Sequence, residues 1–191
     1  MEVVCLDLRK GSILMDNIYQ RPFIKSDFDP IHPDIIFGKN VKLGYYVVIE
    51  EDCEIGNDVY IGHHTVIRGG ARIGNKVLIS QTCTFEKFVT IKDNVRIMPM
   101  CHITEGAVID RDTFLGVGVI LINTRKIMHG RGKPVYEPPL IGKRVRIGTG
   151  AIIMPGVVVH DDAVIGAGAV VTKRVNQGET VMGIPAREVN L

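Results

Sequence analysis

Large apolar residues recur along this chain at intervals of six. Counting from Phe37, they fall at Leu43, Ile49, Ile55, Ile61, Ile67, Ile73, Ile79, Phe85, Ile91, Ile97, Ile103, Ile109, Leu115 and Leu121. The register breaks there and resumes at Ile141, Ile147, Ile153, Val159, Ile165 and Val171, which makes 21 positions without a miss. The fourth residue after each is small or β-branched through the first run, as at Val41, Val47, Cys53, Val59, Thr65 and Ala71. Gly often follows directly, as at Gly38, Gly44, Gly56 and Gly148. A helix would need apolar neighbours at three and four. One large and one small inward residue in every six instead make a short strand and a turn. Three such units close a triangular coil, and each coil stacks on the last by parallel-strand hydrogen bonds with a rise of about 4.8 Å.

The repeat divides the chain. Coils occupy residues 37–176, and residues 1–36 and 177–191 are expected as amino- and carboxyl-terminal caps, because open strand ends invite further pairing. The interruption, 122–140, is the informative segment. A loop of this length in a compact domain is more often functional than decorative. It carries Arg125, Lys126, Arg131 and Lys133 against Glu137, which suits an anionic ligand nearby; the plain alternative is a solvated flap that helps subunits pack. Stepping down by one coil from the loop mouth links Asn123, Glu105 and Lys87 in one outward file. A carboxylate one rung below an amide can share a bound molecule with it, or Lys87 can simply neutralise Glu105.

Composition narrows the classes. Apolar residues make up 46% and aromatic ones 6%, with no Trp, so the core is built from aliphatic side chains. The net charge of +2 is mixed along the chain without a basic stripe, which argues against nucleic-acid binding. There is no basic-then-apolar leader and no apolar run long enough to span a bilayer; a cytoplasmic protein is expected. Cys5, Cys53, Cys83 and Cys101 form no CxxC, so neither zinc nor a disulfide framework is indicated. Cys83 and Cys101 lie one coil apart and point inward, at a spacing that would suit a disulfide; small free thiols filling the core are the simpler reading. His32, His63, His64, His102, His129 and His160 contain no pair five apart and do not stack coil on coil, so no metal is expected.

The repeat resembles the hexapeptide-repeat acyltransferase superfamily, whose coil is left-handed. The resemblance implies an all-β, left-handed parallel β-helix of about seven coils, with one extruded loop. Residues 104–123, TEGAVIDRDTFLGVGVILIN, are similar to a segment of the N-acetyltransferases that act on nucleotide-linked amino sugars, matching at Glu105, Gly106, Val108, Ile109, Phe114, Gly116 and Asn123. Thr104 and Val117 stand where that segment has Tyr and Pro. The likeness implies that Asn123 orients the acyl thioester and the amine, with Glu105 as a polar partner of the sugar. Sugar O-acetyltransferases of the superfamily place a general-base His in the corresponding excursion, which makes His129 the marker of a hydroxyl acceptor.

The carboxyl-terminal stretch IGTGAIIMPGVVVHDDAVIGAGAVVTKRV, followed by GIPAREV, resembles the acyl-CoA half of the superfamily. The positions matching its CoA contacts are Thr149, Ala167, Thr172, Lys173 and Arg187, with Lys173 and Arg187 suited to phosphate. The resemblance implies acetyl-CoA as co-substrate, no metal, and a homotrimer with its sites in the clefts between subunits. The expected function is acetyl transfer to an amino sugar, probed against the alternative of sugar O-acetylation through His129.

Overall fold

The computed structural model describes residues 30–126 and 135–189. It is a left-handed parallel β-helix without α-helix among those residues. Two-residue strands recur every six residues, and they assemble into three parallel sheets that form the faces of a triangular prism. The first face runs from Ile36–Phe37 to Val158–Val159, the second starts at Lys42–Leu43, and the third runs from Val48–Ile49 to Val170–Val171.

Strand partners are offset by one coil, as in Thr90 with Val108 and Ile91 with Ile109. Across the interruption Val108 pairs with Leu140, an offset of 140 − 108 = 32 in place of 18. The excursion therefore adds 32 − 18 = 14 residues and leaves the stacking register undisturbed. The six-step residues are buried from Ile49 onward, and the small residues between them fill the remaining interior. Burying each such aliphatic side chain contributes roughly 1.5–3 kcal/mol.

The corners need two special backbones. Gly directly after the large residue lets successive coils approach: a Cβ on Gly38 would stand 2.5 Å from the Gly56 carbonyl carbon. The last turn residue is left-handed, and Asn40, Asp52, Asp58, Asn94 and Asp112 hold it at positive φ. Side chains also knit one corner into a ladder. Lys39 N donates to Asn57 Oδ1 (2.7 Å), Asn57 N to Asn75 Oδ1 (2.9 Å), and Asn75 N to Asp93 Oδ1 (2.6 Å).

Cys53, Cys83 and Cys101 are free, buried thiols. The Cys101 thiol, hydrogen-bonded to Cys83 and buried, is pushed well above the ordinary thiol range, so it behaves as a core filler. At the carboxyl-terminal end Thr180–Met182 continues the second face, and Arg187–Glu188 pairs antiparallel on it. No helix among the described residues is long and apolar enough to cross a membrane.

Candidate active site

The excursion leaves the prism at the corner between the third and first faces. Its neck is closed by the chain itself. Thr124 bridges Tyr136, Glu137 N donates to Asn123 O (2.7 Å), and Gly156 N donates to Glu137 O (2.7 Å). Arg125 adds a clasp, donating through Nε (3.2 Å) and an NH2 group (2.9 Å) to Glu137 Oε2, and through NH2 to Pro155 O (3.0 Å). The two legs are thereby tied to each other and to the coil above. His129 lies outside the described residues.

Asn123, Glu105 and Lys87 do stack at this corner: Asn123 Nδ2 donates to Glu105 O (3.3 Å), and Gly106 N donates to Lys87 O (3.0 Å). Asn123 differs from the open amide that its file predicts. It is 8% exposed, and the returning leg of the excursion hydrogen-bonds to its backbone carbonyl through Glu137 N. Its Oδ1 accepts the Thr124 hydroxyl (3.0 Å), and one amide hydrogen is spent on Glu105 O. The second amide hydrogen has no partner among the described residues. Glu105 and Lys87 are half-buried.

The corner between the second and third faces carries a feature that was missed in the sequence. Gly118, Gly150 and Gly168 follow one another up three successive rungs, at φ +67, +69 and +67, and an added Cβ would meet nothing within 4 Å at any of them. Lower in the same file stand Tyr46, His64, Thr82 and Met100, all at positive φ. The backbone therefore accepts side chains at this position, and the three glycines leave a bare strip along the prism edge. File arithmetic across the coils would have found it. Thr149 and Ala167 flank the strip on adjacent rungs and are exposed. Thr172 and Lys173 lie across the third face, toward the opposite corner, and both are exposed. Arg187 follows the turn 183–186, which hydrogen-bonds to Val170 at the top of the third face.

The bare strip and Asn123 thus sit on the two corners that flank one face. A separate groove of about 590 Å³ lies on the first face, lined by Arg72, Lys92, Arg111 and Lys143 alternating with Glu54, Asp93 and Asp110. Among the described residues no group of three His, Cys, Asp or Glu is placed to hold a metal ion.

The family described as bacterial transferase hexapeptide (six repeats) matches at residues 34–69, 52–87 and 138–173, the coils on either side of the prism's middle. The chain carries the hexapeptide repeat of that family over these stretches. Among its relatives, serine acetyltransferase of Buchnera aphidicola subsp. Acyrthosiphon pisum is 38% identical over 51% of this chain and 39% of that protein. Galactoside O-acetyltransferase of Escherichia coli K12 is 27% identical over 54% of this chain and 64% of that protein. The chain thus spans less than two thirds of either relative's length. An S84T mutant of AntD, an N-acyltransferase from Bacillus cereus, shares the hexapeptide-repeat fold at a TM-score of 0.55 and 20% identity, over 81% of both chains.

Proposed function

We propose that this chain is an acetyl-CoA-dependent acyltransferase that acetylates the amine of a nucleotide-linked amino sugar, and that it works as a homotrimer. The observation that carries the acyl-CoA half is the side-chain-free strip of Gly118, Gly150 and Gly168. A narrow, flexible pantetheine arm can lie against bare backbone, with Thr149 and Ala167 beside it. Lys173 and Arg187 supply charge for the phosphates at the nucleotide end. Acetyl transfer is also the activity named for the serine and galactoside relatives.

The amine attacks the thioester carbonyl carbon, a C–N bond forms, and the C–S bond breaks with CoA leaving as thiolate; the ammonium proton is lost to solvent or to the thiolate. In this reading the free hydrogen of the Asn123 amide orients the carbonyl and the amine, and the Glu105 carboxylate accepts from a sugar hydroxyl. Asn123 and the glycine strip lie on different corners of the same prism. A single chain cannot bring them together, whereas the corners of two neighbouring copies can.

The test is Asn123→Ala. Turnover with acetyl-CoA across a panel of amino-sugar nucleotides should fall at least about 30-fold, roughly 2 kcal/mol of transition-state stabilisation, with CoA affinity unchanged. Unchanged turnover removes Asn123 from the reaction. A second reading, transfer to a sugar hydroxyl with His129 as base, is favoured by the galactoside O-acetyltransferase relative. It requires His129→Ala to abolish most activity and to remove a rate step near neutral pH; normal activity in that variant excludes it.

A further inference from the structure

We infer that the groove on the first face binds the phosphate group of a phosphate monoester. One phosphate oxygen sits on the backbone N–H of Asp93, and Lys92, Arg111 and Lys143 meet the charge. The site lies at the corner between the first and second faces, away from both Asn123 and the glycine strip. It stands whether or not the chain transfers an acyl group.

A ladder of side-chain oxygens runs up that corner and fails at one rung. Lys39 N, Asn57 N and Asn75 N each donate to the Oδ1 of the residue one coil on, which is Asn57, Asn75 and Asp93 in turn. Higher up, Lys143 N donates in the same way to Asp161 Oδ1 (2.9 Å). Between these rungs the residues one coil above Asp93 and Arg111 are Arg111 and Lys143, whose side chains hold no acceptor. At Arg111 an oxygen comes from within the rung, since Arg111 N donates to Asp110 Oδ1 (2.7 Å). At Asp93 the residue in the place of Asp110 is Lys92, which has no oxygen to offer. The Asp93 N–H therefore has no acceptor among the described residues. Its own carboxylate is turned to the rung below, where Oδ1 accepts from Asn75 N (2.6 Å) and Asn75 Nδ2 (3.1 Å). An added Cβ on Gly74 would strike that Oδ1, so the glycine makes room for the carboxylate to stay there. The oxygen that completes the Asp93 rung has to come from outside the chain.

The charges around this N–H say what kind of oxygen. Lys92, Arg111 and Lys143 line the groove, and none of their side chains has a hydrogen bond or ion pair among the described residues. The acids of the groove are already engaged. Glu54 pairs with Arg72 (3.2 Å), Asp93 serves Asn75, and Asp110 serves Arg111. An incoming anion thus meets cations without partners and carboxylates with them. A phosphate suits the set better than a carboxylate. It can put one oxygen on the N–H and still offer others to an ammonium and a guanidinium through charge-assisted bonds. Backbone N–H groups at turns form anion sites of this kind. The groove holds about 590 Å³, which is more than a phosphate ion fills and within the range of small-molecule sites. The organic part of a phosphate monoester can lie along Thr90, which also lines it.

The experiment turns on Arg111→Asn. Asparagine there restores the acceptor that Asn57 and Asn75 supply lower down, so one change fills the vacancy from within and removes a charge. Inorganic phosphate and glucose 6-phosphate are titrated into the full chain at constant ionic strength, with affinity read by calorimetry and the Asp93 amide by NMR. Wild type should show a saturable downfield shift of that amide, with the ester bound more tightly than the free ion. Arg111→Asn should bind at least about 10-fold more weakly, and without ligand its melting midpoint should rise by about 2–4 °C. Lys92→Met removes a charge without supplying an acceptor, so it should weaken binding and leave the midpoint in place. An Asp93 amide that phosphate leaves unmoved, or equal affinity in wild type and Arg111→Asn, overturns the site. Equal binding of the two ligands overturns the ester. Acetyl transfer by Arg111→Asn should match wild type, and its loss would overturn the separation of this site from the acyl-transfer site.

Discussion

Replacing Gly150 by Met places the side chain of Met100 two rungs higher on the same prism edge. Met100 adopts φ 63 and Gly150 φ +69, and no atom lies within 4 Å of a Cβ built on Gly150. The variant therefore meets no clash, and its cost is that of a left-handed residue with a side chain, about 1–2 kcal/mol. For a chain of this size that corresponds to a melting temperature lower by about 2–8 °C. The ligand effect should be larger. A methionine lying in the path of the pantetheine arm should weaken CoA binding at least about 30-fold, roughly 2 kcal/mol. Gly178→Met is the matched control, because Gly178 has φ +70 and equally open space but sits in the carboxyl-terminal cap, away from the strip. Calorimetric titration of CoA and thermal melts on both variants separate the terms. Equal CoA affinity in Gly150→Met and wild type would refute the strip as the acyl-CoA track, and equal loss in both variants would show that only stability had changed.

Four further outcomes follow from the coil. Phe85 is fully buried, and Phe85→Ala should cost about 3–5 kcal/mol in urea unfolding, against about 0.5–1.5 kcal/mol for Ile103→Val. Asn75→Ala removes the acceptor of Asn57 N and the donor to Asp93, and should cost about 1 kcal/mol in the same assay. Arg125→Ala breaks an exposed ion pair with Glu137 worth less than about 1 kcal/mol, yet it loosens the neck over Asn123, so turnover should drop while CoA affinity and unfolding midpoint hold. The hydrogen-bonded Arg144 guanidinium holds the Asp162 carboxyl below the ordinary carboxylate range. The stability from that pair is therefore complete above the unfolded carboxyl value and is lost as pH falls through the depressed folded one. Carboxyl titration by NMR checks the depressed value, and Arg144→Gln should return it to the ordinary range.

The coil was legible because every rung repeats the same instruction. A weaker position, such as Leu43 with its intermediate exposure, still packs against the core and leaves the rest of the register intact. The interruption was legible only as a break. Its structural content is the 14-residue excess that lets Val108 find Leu140, and this depends on where the chain rejoins the stack. The burial of Asn123 was not legible for the same reason. The column rule places Asn123 over Glu105 correctly, but it says nothing of Glu137 and Arg125, which come from the far leg and the near leg of the excursion and pair with each other where Glu137 N meets the Asn123 carbonyl. A periodic rule describes what successive rungs do to each other and is silent on what leaves the ladder.

The glycines illustrate a second limit. Gly38 and Gly150 look alike in a sequence, yet they answer to different constraints. At Gly38 an added Cβ would strike the carbonyl carbon of Gly56 at 2.5 Å, so the close approach of these two coils leaves no room for a side chain, although Lys92 and Asp110 occupy the same file higher up. At Gly150 the space is open, and the same backbone conformation is held elsewhere in its file by Tyr46, His64, Thr82 and Met100. Sterics do not demand glycine there, and the left-handed backbone favours it over another residue by only about 1–2 kcal/mol. The dihedral preference accounts for glycine at any one of these rungs, and three in succession together leave the edge bare. A molecule that must lie flat against the backbone fits such an edge, and the Gly150 and Gly178 variants measure whether it does.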